Sequence, residues 1–128
     1  MAVWRRKAMA AFPTLRQMLH DPEYTIYSLF SDLVRQVHEA HQARDTEQLR
    51  AIYGFASWCS TQKSKEPSNA AAVAFYEHLL DGDQRLWPEI LSWLSPATLR
   101  EVWPLWEWWL PAEKFEKLKH LEKVRRQR

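Results

Sequence analysis

A chain of 128 residues with 46% hydrophobic and 27% charged side chains has the length of one domain and the composition of a globular protein in water. Its two glycines argue against a fold of tight hairpins and exclude a glycine-rich phosphate loop of the usual form, while one cysteine, Cys59, excludes an internal disulfide and suits a reducing compartment. The net charge of +2 hides an uneven distribution: residues 1–20 carry four basic and no acidic side chains, residues 111–128 seven basic against three acidic, and residues 21–110 seven basic against thirteen acidic.

In chain order, short helices are expected over residues 2–11 and 13–19. Asp21-Pro22-Glu23 then reads as the start of a long helix, with Asp as cap, Pro in the first turn and Glu at the positive end of the dipole. Ile26, Leu29, Phe30, Leu33, Val34 and Val37 repeat at helical spacing, and the pattern fades into polar residues 38–44. Asp45-Thr46-Glu47 opens a further helix carrying Leu49, Ile52, Tyr53, Phe55, Ala56 and Trp58, in which Gly54 is expected to permit close packing.

Residues 61–69 hold no apolar side chain except Pro67 and read as a loop. Ser68 or Asn69 caps a helix over residues 70–80 with Ala72, Val73, Tyr76, Leu79 and Leu80 as its apolar stripe, flanked by Phe75 and stopped at Gly82. Glu77 and His78 face outward or toward the rim. Beyond it, Trp87-Pro88-Glu89-Ile90-Leu91-Ser92-Trp93-Leu94 and Trp103-Pro104-Leu105-Trp106-Glu107-Trp108-Trp109-Leu110 share the pattern W-P-x-x-x-x-W-L. Each unit reads as a short proline-started helix, with a break or kink near Trp103, because a proline inside a helix costs about 3 kcal/mol. Pro111-Ala112-Glu113 begins a last helix with Phe115, Leu118, Leu121 and Val124 on one face. The expected architecture is all-α: one compact bundle of five to seven helices over residues 1–128, with 1–12 and 125–128 as flexible basic ends.

Six of the eight tryptophans fall between residues 87 and 109. A buried indole contributes on the order of 4–6 kcal/mol of gross transfer energy, so most of the six must close the core and any left outside marks a contact surface. On a helix over residues 99–110, Leu99, Val102, Trp103, Trp106, Trp109 and Leu110 share one side, and Glu101, Leu105 and Trp108 lie on another. Trp108 is then either covered by surrounding helices or the centre of an exposed patch with Leu105 and Glu107.

Catalytic signals are sparse. His38 and His41 have a spacing that suits a metal, but no second ligand cluster accompanies them, and they read as solvated histidines near a helix end. Cys59 has no local base and reads as an inert buried thiol. No catalytic, metal or cofactor site is expected. No apolar run reaches the roughly 18–20 residues of a membrane span, and no long apolar stretch follows Arg5, Arg6 and Lys7, so the expected location is the cytoplasm.

Residues 69–79 (Asn-Ala-Ala-Ala-Val-Ala-Phe-Tyr-Glu-His-Leu), Trp93-Leu94-Ser95, Pro104-Leu105-Trp106-Glu107-Trp108 and Phe115-Glu116-Lys117-Leu118-Lys119 resemble a family of small uncharacterised all-helical bacterial proteins, a domain of unknown function, loosely over residues 27–119. In size, helicity and lack of an active-site motif such proteins resemble immunity proteins that neutralise a toxin. The resemblance implies a non-enzymatic module that binds another protein, with no catalytic residues to transfer. The acidic middle would meet a basic partner, a toxin for instance, through Glu77, Asp81, Asp83, Glu89, Glu101 and Glu107 around a tryptophan anchor. The alternative is a nucleic-acid-associated accessory protein using the basic ends, if these meet in space. The oligomeric state is left open.

Overall fold

The computed structural model describes residues 1–127. They form eight α-helices and no strand: α1 (Val3–Ala11), α2 (Arg16–Leu19), α3 (Ile26–Ala43), α4 (Thr46–Ser60), α5 (Lys65–Ala70), α6 (Trp87–Ser92), α7 (Pro96–Trp109) and α8 (Ala112–Arg126). The count exceeds the expected five to seven, and the expected loop at 61–69 contains the start of one of the eight, α5. None of these helices is long and apolar enough to cross a membrane.

Helix α3 starts at Ile26 rather than near Asp21, which instead accepts from the Glu23 amide in a turn. The cap is Thr25: its hydroxyl accepts from the Ser28 amide, and the Ser28 hydroxyl accepts from the Thr25 amide, so two of the orphan donors at the helix start are satisfied reciprocally. Its apolar stripe buries Ile26, Leu29, Phe30, Leu33 and Val37 and does not fade at residue 38, since Ala40 and His41 are buried too. Arg44 ends the helix in the left-handed region at φ 56°. Asp45 caps α4 by accepting from the Gln48 amide at 3.2 Å. Gly54 faces outward, and a Cβ placed there would meet nothing within 4 Å, so close packing does not explain this glycine.

Helix α5 occupies the second half of the expected loop, with Pro67 buried in its first turn, where the missing N–H costs no intrahelical bond. From Ala71 to Phe75 the chain widens into a π-helical turn, then tightens into a 3₁₀ turn at Tyr76–His78. The wider turn shifts the phase of the buried face. Val73, expected inside, is 45% exposed, and Phe75, expected at the flank, is fully buried between Phe30 and Tyr53 at ring-centroid distances of 5.7 and 6.0 Å.

The two W-P-x-x-x-x-W-L segments are not one structure used twice. The first is the short α6 with Pro88 in its first turn; the second lies within α7, which starts at Pro96 under a Ser95 cap and runs unbroken through Pro104 to Trp109. The expected break at Trp103 is absent. Pro104 and Arg100 both lie on the solvent side, where water can hydrate the Arg100 carbonyl that Pro104 leaves without its usual donor.

Residues 1–12 pack on the bundle. Helix α1 buries Trp4 and Ala8 against α4, Phe12 packs edge-on against Phe55 at 5.6 Å, and Arg5 donates to the carbonyls of Leu19, Asp21 and Pro22. At the other end α8 continues to Arg126, and of the expected basic end 125–128 only Arg128 lies outside the described residues.

Candidate functional site

Helix α7 is held at both ends, and the restraints dictate which indoles reach solvent. Ser95 caps it by accepting from the Thr98 amide at 3.1 Å. Leu99, Val102 and Trp106 face the core, and Trp106 is fully buried with its Nε1–H donating to the Tyr76 carbonyl at 2.7 Å. One turn on, Trp109 donates its Nε1–H to Asp81 Oδ1 at 2.7 Å and meets the His78 ring edge-on at 4.6 Å, while His78 Nδ1–H donates to the other Asp81 oxygen. With about 100° of turn per residue, these anchors leave Trp108 pointing away from the bundle. It is 84% exposed. The expectation that the rings mainly close the core holds for Trp87 and Trp106; Trp93 and Trp103 are half-buried, and Trp108 and Trp109 are the counterexamples, Trp109 being 45% exposed although it was expected on the core side.

Leu105 is half-buried against the core beside Trp108, and Glu101 and Glu107 are exposed and have no ion-pair partner among the described residues. Glu101, Leu105 and Trp108 share one strip of the helix; Glu107 sits one step round toward Arg100. Of the acids on other elements, Asp81 is brought to Trp109, the next residue along, and Glu77 is half-buried in the 3₁₀ turn that packs on α7. The other two belong to separate networks. Asp83 caps the turn at Gln84–Leu86 and pairs with Arg85 at 2.8 Å, and Glu89 pairs with His41. The six acids therefore do not form one free acidic face, because three of them are spent on internal partners.

His41 is a buried residue and not the solvated helix-end histidine the sequence suggests. A carboxylate only accepts, so Nδ1–H donates to Glu89, and the neutral ring then accepts the Tyr53 hydroxyl at Nε2, at 2.7 Å. Burial holds the imidazole below its ordinary pKa, against the opposing pull of Glu89. The missed signal was phase: His41 continues the stripe of Leu33 and Val37 by one further helical step. His38 shares its hydrogen with a different partner, the Leu79 carbonyl, at 2.8 Å. Among the described residues no group of three His, Cys, Asp or Glu side chains stands close enough to hold a metal ion. Cys59 is fully buried, and burial pushes its thiol up to about 12, which leaves it protonated and unreactive at neutral pH.

The basic ends are carried by separate parts of the bundle. Helix α1 packs mainly on α4, with Arg5 committed to backbone carbonyls, whereas α8 packs on α7, with Arg125 and Arg126 on Glu122.

The model of a domain of unknown function, DUF7674, matches residues 5–117. The chain belongs to this family. No curated protein and no solved structure matches it. The DUF7674 match takes in the whole of α7, Trp108 included, and ends before Glu122.

Proposed function

We propose that this DUF7674 protein is a non-enzymatic protein-binding module whose contact face is centred on Trp108. One observation carries the reading: an indole 84% exposed, on a helix where Trp106 is held in the core and Trp109 is tied to Asp81 by hydrogen bonds while Trp108 makes none among the described residues. Leaving a tryptophan in water forfeits on the order of 4–6 kcal/mol of gross burial energy, and interface hot spots are enriched in this residue. Leu105 extends the apolar area. Glu101 and Glu107, without an ion-pair partner among the described residues, supply negative charge at its edge, which suits a partner presenting an apolar pocket ringed by cations. The most specific form of the proposal is a bacterial immunity or inhibitor-type protein, working in the cytoplasm, that neutralises a basic toxin by covering it.

Affinity capture from bacterial lysate, with and without nuclease treatment, tests the reading, with wild type, Trp108→Ala and Glu107→Lys as baits. The expected result is a protein that is retained by wild type, is lost from both variants, and causes a growth arrest when expressed alone that co-expression of this chain relieves. Recovery that disappears with nuclease, or with removal of residues 124–128, would instead favour the nucleic-acid reading.

A further inference from the structure

Helices α7 and α8 enclose between them a groove of about 640 Å³ whose lining does not include Trp108. Its apolar walls are Pro96, Leu99, Trp103 and Pro104, and its volume lies in the range of about 300–1,000 Å³ usual for small-molecule sites. The Trp103 ring is held in place by Trp106 at 6.0 Å and Phe115 at 5.5 Å, so it offers a rigid aromatic face.

The charges of the groove do not balance. Glu122, its side chain 7% exposed, accepts from Arg125 Nε and Nη2 at 2.8 and 3.0 Å and from Arg126 Nε at 3.3 Å. This carboxylate fixes two guanidiniums but uses only the Nε–H of Arg126, whose Nη groups stay available. Arg100, a third cation of the lining, has no carboxylate partner among the described residues. Three guanidiniums thus stand against one carboxylate, next to an apolar wall that weakens the screening of any added anion.

We propose that this groove binds an amphipathic organic anion: an apolar ring carrying a carboxylate, phosphate or sulfonate. The ring lies against Trp103 and the prolines, and the anionic group takes hydrogen bonds from Arg100 and the Nη groups of Arg126. A nucleic-acid strand would ask for cations spaced along a track, whereas this cluster is short and sits beside a pocket of ring size.

The test titrates the full chain with anilinonaphthalene sulfonate, which brightens in apolar surroundings, and with uncharged phenylnaphthylamine. Expected are one saturable sulfonate site per chain, at least about tenfold tighter than the uncharged probe, and a loss of at least about fivefold in sulfonate affinity in Arg100→Gln and in Arg126→Gln with no change for the uncharged probe. Both arginines are exposed, so these variants keep the fold. Trp108→Ala is expected to leave both titrations unchanged, which separates this site from the protein-binding face. Equal affinity for the two probes, insensitivity to both arginine changes, or loss of the sulfonate site in Trp108→Ala would overturn the proposal. So would binding of a poly-glutamate peptide without binding of the sulfonate, which would assign the groove to an acidic protein segment.

Discussion

The Trp109 indole donates to Asp81 Oδ1 at 2.7 Å, and this bond determines where Trp108 points. Adjacent residues on a helix are separated by about 100°, so a Trp109 tied to the turn after Tyr76–His78 cannot share its side with Trp108. The exposed ring is a consequence of its neighbour's anchoring.

Trp108→Ala and Trp106→Ala are expected to differ sharply in stability. Trp108 is surface and its removal should fall within about 0.5 kcal/mol of wild type, while Trp106 is fully buried and donates to the Tyr76 carbonyl, so its truncation should cost about 3–5 kcal/mol. Urea denaturation of both variants measures the contrast, and a Trp108→Ala loss comparable to that of Trp106→Ala would show that Trp108 is structural.

The buried His41 makes stability depend on pH in a defined direction. Its folded pKa lies below the unfolded value of 6.5, so the unfolded chain takes up the proton first and stability falls as pH drops below about 6.5. Denaturation midpoints between pH about 7.5 and about 5.5 should decline in wild type and flatten in His41→Gln. Tyr53→Phe, which strips the donor from His41 Nε2, should cost about 1–3 kcal/mol at neutral pH.

Gly54 is expected to be a site of easy stabilisation. It lies inside α4, faces solvent and has room for a Cβ, so Gly54→Ala should raise stability by about 0.5–1 kcal/mol through lower chain entropy in the unfolded state. A midpoint below that of wild type would mean that the glycine serves a contact outside this chain.

Pro104→Ala restores the amide that the Arg100 carbonyl lacks within α7. The gain in helix hydrogen bonding exceeds the loss of proline's restraint on the unfolded chain, and a net stabilisation of about 1–2 kcal/mol is expected from thermal or urea melts. Because Pro104 also lines the Arg100 groove, the same variant should weaken binding of the uncharged probe there.

Much of the bundle was legible because burial repeats at helical spacing: Ile26, Leu29, Phe30, Leu33 and Val37 mark the inward face of α3, and Leu49, Ile52, Tyr53, Phe55 and Ala56 that of α4. The pattern misled where local signals had rivals. Asp21-Pro22-Glu23 lost to the reciprocal Thr25–Ser28 cap, and the π-helical turn exchanged the roles of Val73 and Phe75, since a phase shift of one residue leaves no mark in composition. At the proposed contact face, helix periodicity separated Glu101, Leu105 and Trp108 from the core side, but both a covered and an exposed Trp108 fitted that separation.

By itself the sequence determined the helical class and most of the apolar stripes of the long helices, since these follow from local periodicity and from the scarcity of glycine. Only the tertiary structure decided that the partners of His41 are Tyr53 and Glu89, that Asp81 and Glu89 serve internal partners, and that Trp108 stands in solvent beside two glutamates without an ion-pair partner among the described residues. Those outcomes depend on contacts between residues 12 to 48 positions apart, which no local pattern encodes.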